Sequence, residues 1–298
     1  MADLYLLGIL LGIGAGALNF SGTVMQKKVI NDLPAEKREA KFFRTLVRNP
    51  MWILGLLCQL AFGAVLFMIA VDLIGPTLPP GLMATGLVVL AVGSVKIVHE
   101  PLKKTEFLGI SLMIASILLL GFSDLEIHAT ISTLLNPGFL VRTAIFSAVT
   151  IGIIVACLLG QRTSVRARGV LLVIASGCFF ALSNFWTSPL VGTIDILGGV
   201  AFSSDKLLLF VTACVFLVLA NILGTGLQQT ALKYGRASML ITVQQIPTEI
   251  APVFYYFSVF LLWPQSAISI PFLIASIALA FASMCLLAGR QELLDRIK

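Results

Sequence analysis

The stretch TEFLGISLMIASILLLGF, residues 105–122, has a single charged side chain, Glu106, near its start. An α-helix of about 20 apolar residues crosses a bilayer core of about 30 Å. Runs of this kind recur along the chain, which is 58% hydrophobic and 11% charged, whereas soluble proteins are about one-quarter charged. The apolar/polar alternation of a membrane β-barrel is missing. We therefore predict an all-α polytopic membrane protein.

Nine apolar windows are candidate transmembrane helices. The first begins beside Asp3 and lacks the basic flank of a cleaved signal peptide, so we count it as a span. The predicted spans are residues 4–26, 50–72, 77–97, 105–122, 138–160, 167–188, 207–232, 237–262 and 268–289.

The charges of the loops predict how the spans are oriented. If nine spans alternate in direction, all but two of the 20 Lys and Arg residues fall in one set of loops, the exceptions being Arg142 and Lys206. Loops rich in Lys and Arg stay cytoplasmic. The N-terminus is therefore predicted outside and the C-terminus inside, in a plasma membrane or a prokaryotic inner membrane. The same bias accounts for the net charge of +6, so no nucleic-acid partner is expected.

The chain also repeats weakly within itself, at shifts of 165 and 160 positions. The matches include Gly12 with Gly177, Asn19 with Asn184, and IAS at 114–116 with IAS at 274–276. We predict two four-helix repeats, 1–122 and 161–298, joined at 123–160 by an external connector, 123–137, and a linker helix. Copies that start five spans apart run in opposite directions. A 4+1+4 inverted repeat is typical of secondary transporters, whose substrate site lies near the bilayer midplane.

The segment VQQIPTEIAPVFYY, residues 243–256, contains the most prominent candidate for chemistry. Glu249 is the one acidic residue deep in a predicted span, and an ionised side chain there costs at least about 2.5–3.5 kcal/mol. Pro247 and Pro252 each remove a backbone donor and free a carbonyl oxygen, so we expect the helix to break in this segment. Further oxygens come from Gln244, Gln245 and Thr248.

An oxygen-rich site of this kind suits a hard cation such as Mg²⁺, which keeps several waters. Glu249 is accordingly the predicted metal ligand. A lone carboxylate in a span equally suits proton coupling. The structural alternative is a protonated, hydrogen-bonded glutamate that only supports the fold.

Other polar residues in apolar spans are candidate substrate contacts. They are Asn19, Asn184, Gln59 and Asn221. Each could instead join helices through hydrogen bonds worth about 0.6 kcal/mol. Both interpretations stay open from the sequence alone.

Several segments resemble the drug/metabolite transporter superfamily. In the first half, a proline-bearing helix precedes HEPLKK at 99–104, and in the second half TALKYGRASMLITVQQIPTEIAPVF spans 230–254. The basic first loop and NPGFLVRTAIFSAVTIGIIVACLLGQR at 136–162 look most like NIPA-type magnesium transporters. The resemblance implies an EamA-like fold and a transport function, and it assigns no binding residue.

Two transport functions fit these features. The first is a secondary transporter of a divalent cation, Mg²⁺, by alternating access. The alternative is a carrier of a small organic metabolite or amine with proton coupling at Glu249. An enzyme is not expected, because membrane-enzyme chemistry uses clustered Asp, His or Arg.

The expected partners are the lipid bilayer and the transported ion or small molecule. No cofactor is expected apart from transported Mg²⁺, since His99 and His128 lie far from any Cys/His/Asp cluster. Whether the chain forms a homodimer stays open.

Overall fold

A computed structural model describes residues 2–34, 42–74, 79–100, 102–123, 131–163, 167–193, 204–264 and 266–297. Within these ranges the regular structure is entirely helical. In chain order the helices are α1 Ala2–Asp32, α2 Phe42–Leu46, α3 Pro50–Ile74, α4 Pro79–Ala84, α5 Gly86–Lys96, α6 Lys104–Phe122, α7 Ile131–Leu134, α8 Pro137–Thr163, α9 Arg168–Thr193, α10 Ser204–Ala231, α11 Ala237–Ser258 and α12 Ser269–Ile297.

Seven of the described helices, α1, α3, α6, α8, α9, α10 and α12, are long and apolar enough to cross a membrane. The described residues thus confirm the prediction of an all-helical fold, and the seven helices are compatible with a polytopic membrane protein. The predicted span 77–97 begins outside the described residues and then forms two shorter helices, α4 and α5, which meet at Thr85. The predicted span 237–262 contains α11. This helix is not among the seven, because its polar residues lower its hydropathy. The count of nine spans and their orientation stay predictions.

Two helices differ in detail from the sequence-based expectation. α1 continues to Asp32, beyond the predicted end at 26, and so includes Lys27. α11 stays helical through Pro247 and Pro252, so the expected break in this segment is wrong. A proline removes a hydrogen bond without necessarily ending a membrane helix, because neighbouring groups re-satisfy the backbone. Of the predicted connector 123–137, residues 124–130 lie outside the described residues, and α7 follows them.

The chain divides into two compact units. The first contains Met1–Asp124, Gln229–Val243 and Gln265–Lys298, and the second contains Leu125–Gln228 and Gln244–Pro264. These units differ from the domains predicted from the repeat, because the division passes through α10 and α11. The predicted domains therefore stay predictions.

In the first unit, α1 packs against α3, α4 and α5, and α6 packs against α12. Small residues bring the helices together: the Ser283 hydroxyl donates to the Gly109 carbonyl at 2.7 Å. α3 contains one π-helical turn, Cys58–Phe62, which includes Gln59. Turns of this type often occur at functional sites.

In the second unit, α8 packs against α9, and aromatic side chains form much of the core. Phe185 is central: its ring centroid lies 5.0 Å from that of Phe146 and 5.3 Å from that of Tyr255. Trp186 stacks on Phe216 with centroids 4.6 Å apart. We call this group the aromatic cluster; it also contains Phe139 and Phe260.

Candidate functional site

Glu249 lies on α11, between the two prolines, and is half-buried. Its carboxylate makes no hydrogen bond to the described part of the chain, and the Tyr255 phenol lies within electrostatic range of it. The described residues thus provide no hydrogen bond that holds Glu249 in place, and both the functional and the structural interpretation of this carboxylate stay predictions.

Gln244 lies five residues before Glu249, on a different face of α11, and joins three helices. Its Nε2 donates to the Ser176 hydroxyl on α9 at 2.7 Å, and this hydroxyl donates to the Gly224 carbonyl on α10 at 2.6 Å. All of these groups are buried. The amide of Gln244 is thus positioned by Ser176, a residue that the sequence did not single out.

Thr248 binds the same neighbouring helix. Its hydroxyl lies 3.2 Å from the Gln244 carbonyl and 3.4 Å from the Gly177 carbonyl, as a donor to either. Gln245, on the adjacent face of α11 one turn before Glu249, is half-buried. All four predicted residues of this segment thus lie on α11, and α9 orients two of them, Gln244 and Thr248.

Gly177 allows this close approach of α9 and α11. A Cβ atom built at Gly177 would overlap the Gln244 carbonyl oxygen and the Pro247 ring. Gly12, its counterpart at a shift of 165 positions, faces Leu82 on α4, and a Cβ there would lie 3.1 Å from the Leu82 Cβ. Gly12 and Gly177 therefore each lie at a close helix approach within their own unit.

Asn221 and Asn184 differ in their surroundings. Asn221 Nδ2 donates to the Ser183 hydroxyl at 2.6 Å and to the Leu217 carbonyl at 2.9 Å, so it joins α10 to α9. Asn184, one residue after Ser183, is exposed. The contacts of Asn221 fit the interpretation that this residue joins two helices.

Asn19 and Gln59 belong to the first unit, whereas Glu249 belongs to the second. Gln59 Oε1 accepts a hydrogen bond from Gln26 Nε2 at 3.1 Å. Gln26 Oε1 accepts another from Gln229 Nε2, and Gln229 Oε1 accepts the indole N–H of Trp52 at 3.1 Å. Gln59 thus belongs to a chain of amide side chains that joins α1, α3 and α10.

The sequence-based search missed a buried ionic group in the first unit. Lys27 is 4% exposed, and its ammonium contacts the Glu100 carboxylate at 3.3 Å and the carbonyls of Leu232 and Gly235 at 2.6 and 2.7 Å. The other Glu100 oxygen accepts the Ala237 N–H, at the start of α11, at 3.0 Å. Carboxylates are favourable at helix N-termini.

A second ion pair lies nearby in sequence. Arg236 Nη1 donates to Glu106 at 2.9 Å, and the Glu106 side chain is fully buried. The other Glu106 oxygen accepts the Lys103 backbone N–H at 3.2 Å, at the start of α6. The sequence contained one signal for these two ion pairs: the glutamates Glu100 and Glu106 lie within or beside a loop rich in basic residues.

No three His, Cys, Asp or Glu side chains come together as a metal site in the described ranges. Mg²⁺ at Glu249 would therefore be held by one carboxylate, amide or carbonyl oxygens and retained waters, which is a coordination pattern that Mg²⁺ accepts.

Comparison of the chain with protein-family models, with curated proteins and with solved structures gives no match. The resemblance to drug/metabolite transporters stays a prediction, and the function has to be argued from the site.

Proposed function

We propose that the chain is a secondary transporter of a cation, with Mg²⁺ as the first candidate. The observation that carries this proposal is Glu249, a carboxylate without a hydrogen-bond partner in the described residues, on a helix rich in uncharged oxygens. Ionisable residues within membrane helices are usually functional. A transported cation would supply the counter-charge that the described residues do not.

The repeat supports alternating access as the mechanism. Gly12 and Gly177 match at a shift of 165 positions, and each lies at a close helix approach within its own unit. Inverted repeats let a carrier expose one site to either side of the membrane in turn. We place the protein in a plasma or prokaryotic inner membrane on the basis of its loop charges.

A second candidate is a carrier of a small organic amine, with proton exchange at Glu249. It is favoured by the aromatic cluster in the same unit and by the single carboxylate. An ammonium group binds well to one carboxylate and to aromatic faces, whereas a bare divalent ion needs more oxygens.

Thermal unfolding of the purified protein distinguishes the two candidates. A ligand that binds the native state raises the midpoint with its concentration. The ligands to be scanned are Mg²⁺, Ca²⁺, Mn²⁺ and the amines ethanolamine and putrescine. We expect Mg²⁺ to raise the unfolding midpoint, and we expect Glu249→Gln to abolish this rise. Asp205→Asn removes an exposed carboxylate at the start of α10 and is the control. A rise with the amines alone would favour the second candidate, and no rise with any of them would contradict both.

A further inference from the structure

Helix α8, predicted only as a linker, has an unusual buried face. The residues that it buries are Phe139, Thr143, Ser147, Thr150 and Ile154, and their spacing of three or four places them on one side of the helix. The opposite side exposes apolar residues, among them Val149, which is 58% exposed. α8 thus turns apolar residues outward, as toward lipid, and three hydroxyl groups inward.

Two of these hydroxyl groups have no partner. Thr143 is 4% exposed and Ser147 is 6% exposed, and neither Oγ atom has a hydrogen-bond partner within the described residues. Thr150, the third, donates to the Phe146 carbonyl of its own helix at 2.8 Å. A buried polar group without a partner is costly, and each one in a native structure calls for an explanation.

The neighbouring helix presents a third such group. The indole Nε1 of Trp186 on α9 is buried and also lacks an acceptor in the described part of the chain. Trp186 belongs to the aromatic cluster, and Phe146, which precedes Ser147, packs against the same cluster. The Phe146 and Phe185 rings join α8 to α9 at this level.

We propose that this face of α8, together with Trp186, lines a water-accessible solute pathway in the second unit. The inference rests on the proposed transport function and adds α8 to the helices that carry it. An indole N–H can only donate, so the group that meets it in the open state presents an oxygen lone pair, either from water or from a polar solute. Thr143 and Ser147 are then pathway residues, and the closed packing leaves their hydroxyls and the indole unsatisfied.

Cysteine accessibility tests this without knowledge of the transported substrate. In a background where Cys58, Cys157, Cys178, Cys214 and Cys285 are replaced by Ala, single variants Thr143→Cys and Ser147→Cys are placed in lipid nanodiscs. The probe is 2-(trimethylammonium)ethyl methanethiosulfonate, a permanently charged reagent that acts from water. Its reaction with the thiolate forms a mixed disulfide and releases methanesulfinate.

We expect mass spectrometry to show modification at 143 and 147 at least tenfold faster than in the matched control Val149→Cys, which faces lipid. Rates at 143 and 147 equal to the control rate, with full modification after denaturation, would overturn the proposal. Failure of the Mg²⁺ and amine tests would leave this result unchanged, so the two proposals can fail separately.

A second measurement applies if a cysteine variant does not fold. Thr143→Val and Ser147→Ala remove an unpartnered hydroxyl, so we expect their thermal midpoints to equal or exceed that of the parent. Thr150→Val removes a bonded hydroxyl, and its midpoint should fall. A fall in the first two variants as large as that in Thr150→Val would show that these hydroxyls are bonded within the folded protein, and would overturn the proposal.

Discussion

The Ser116 hydroxyl on α6 donates a hydrogen bond to the Ser276 carbonyl on α12 at 2.8 Å, and the two side-chain oxygens lie 3.2 Å apart. Both residues end an IAS triplet, and they are related by the shift of 160 positions that relates the proposed repeats. Contact between equivalent residues is typical of positions near a two-fold axis. The contact between these two serines thus supports the proposed repeat independently of the sequence match.

The serine pair can be tested by removing one hydroxyl. We expect Ser116→Ala to lower the free energy of unfolding by about 0.6 kcal/mol, the average of a hydrogen bond between membrane helices. The measurement is thermal or denaturant unfolding in detergent. Ser111→Ala is the control, since its exposed hydroxyl bonds only to the Phe107 carbonyl of its own helix. A larger loss in the control would show that α6 and α12 are not held by this contact.

The close approach of α9 and α11 at Gly177 predicts a much larger loss of stability. Gly177→Ala introduces a Cβ atom where the Gln244 carbonyl lies, so we expect a loss of about 1–3 kcal/mol from overpacking. Gly152→Ala on α8 is the matched control, because nothing lies within 4 Å of the added atom. There the alanine should stabilise its helix by about 0.5–1 kcal/mol. Equal effects of the two variants on the unfolding midpoint would contradict the close approach of α9 and α11.

The buried position of Lys27 predicts that the free energy of unfolding depends strongly on its ion pair with Glu100. Lys27→Met leaves the Glu100 carboxylate without its cation, and breaking such a pair costs about 3–5 kcal/mol. Lys28→Met loses the same charge from the next, less buried position, and we expect less than about 1 kcal/mol. Both values come from denaturant unfolding curves.

A double variant then separates the ion pair from local packing. Adding Glu100→Gln to Lys27→Met removes the unpaired charge while keeping an oxygen for the Ala237 N–H, so we expect part of the lost stability to return. Strictly additive losses would show that the two side chains do not interact.

The serine that orients Gln244 gives a fourth prediction. Ser176→Ala removes the acceptor of the Gln244 amide, and an unsatisfied buried group of this kind costs about 1–3 kcal/mol. If Gln244 helps to bind a cation, the same variant should also weaken the Mg²⁺-induced rise of the midpoint. Ser258→Ala is the control, since its exposed hydroxyl bonds to the Phe254 carbonyl of α11 itself. A full Mg²⁺ response in Ser176→Ala would assign Gln244 a purely structural role.

The class of fold could be predicted because membrane helices are defined by composition over a long window. The length of α1 could not, since Lys27 resembles an ordinary loop cation until its partner Glu100, distant in sequence, is known. α11 was expected to break at Pro247 because the proline lacks a donor, but its neighbours preserve the helix.

Likewise, only some residues of the candidate site could be predicted from the sequence. Glu249 could be singled out, because a carboxylate in an apolar span is costly wherever it points. The two hydroxyls of α8 that lack partners in the described residues, Thr143 and Ser147, could not be predicted, because serine and threonine are tolerated in membrane helices and their partners depend on helix packing. Asn221 likewise needed its contact with Ser183 to be interpreted.

Uptake of Mg²⁺ into proteoliposomes, followed with a Mg²⁺-sensitive dye in the lumen, tests the central claim most directly. The account predicts uptake by the parent protein and by Asp205→Asn, and a loss of at least tenfold in Glu249→Gln at unchanged protein content. Uptake by Glu249→Gln equal to that of the parent would contradict the assignment of this carboxylate to the transported cation.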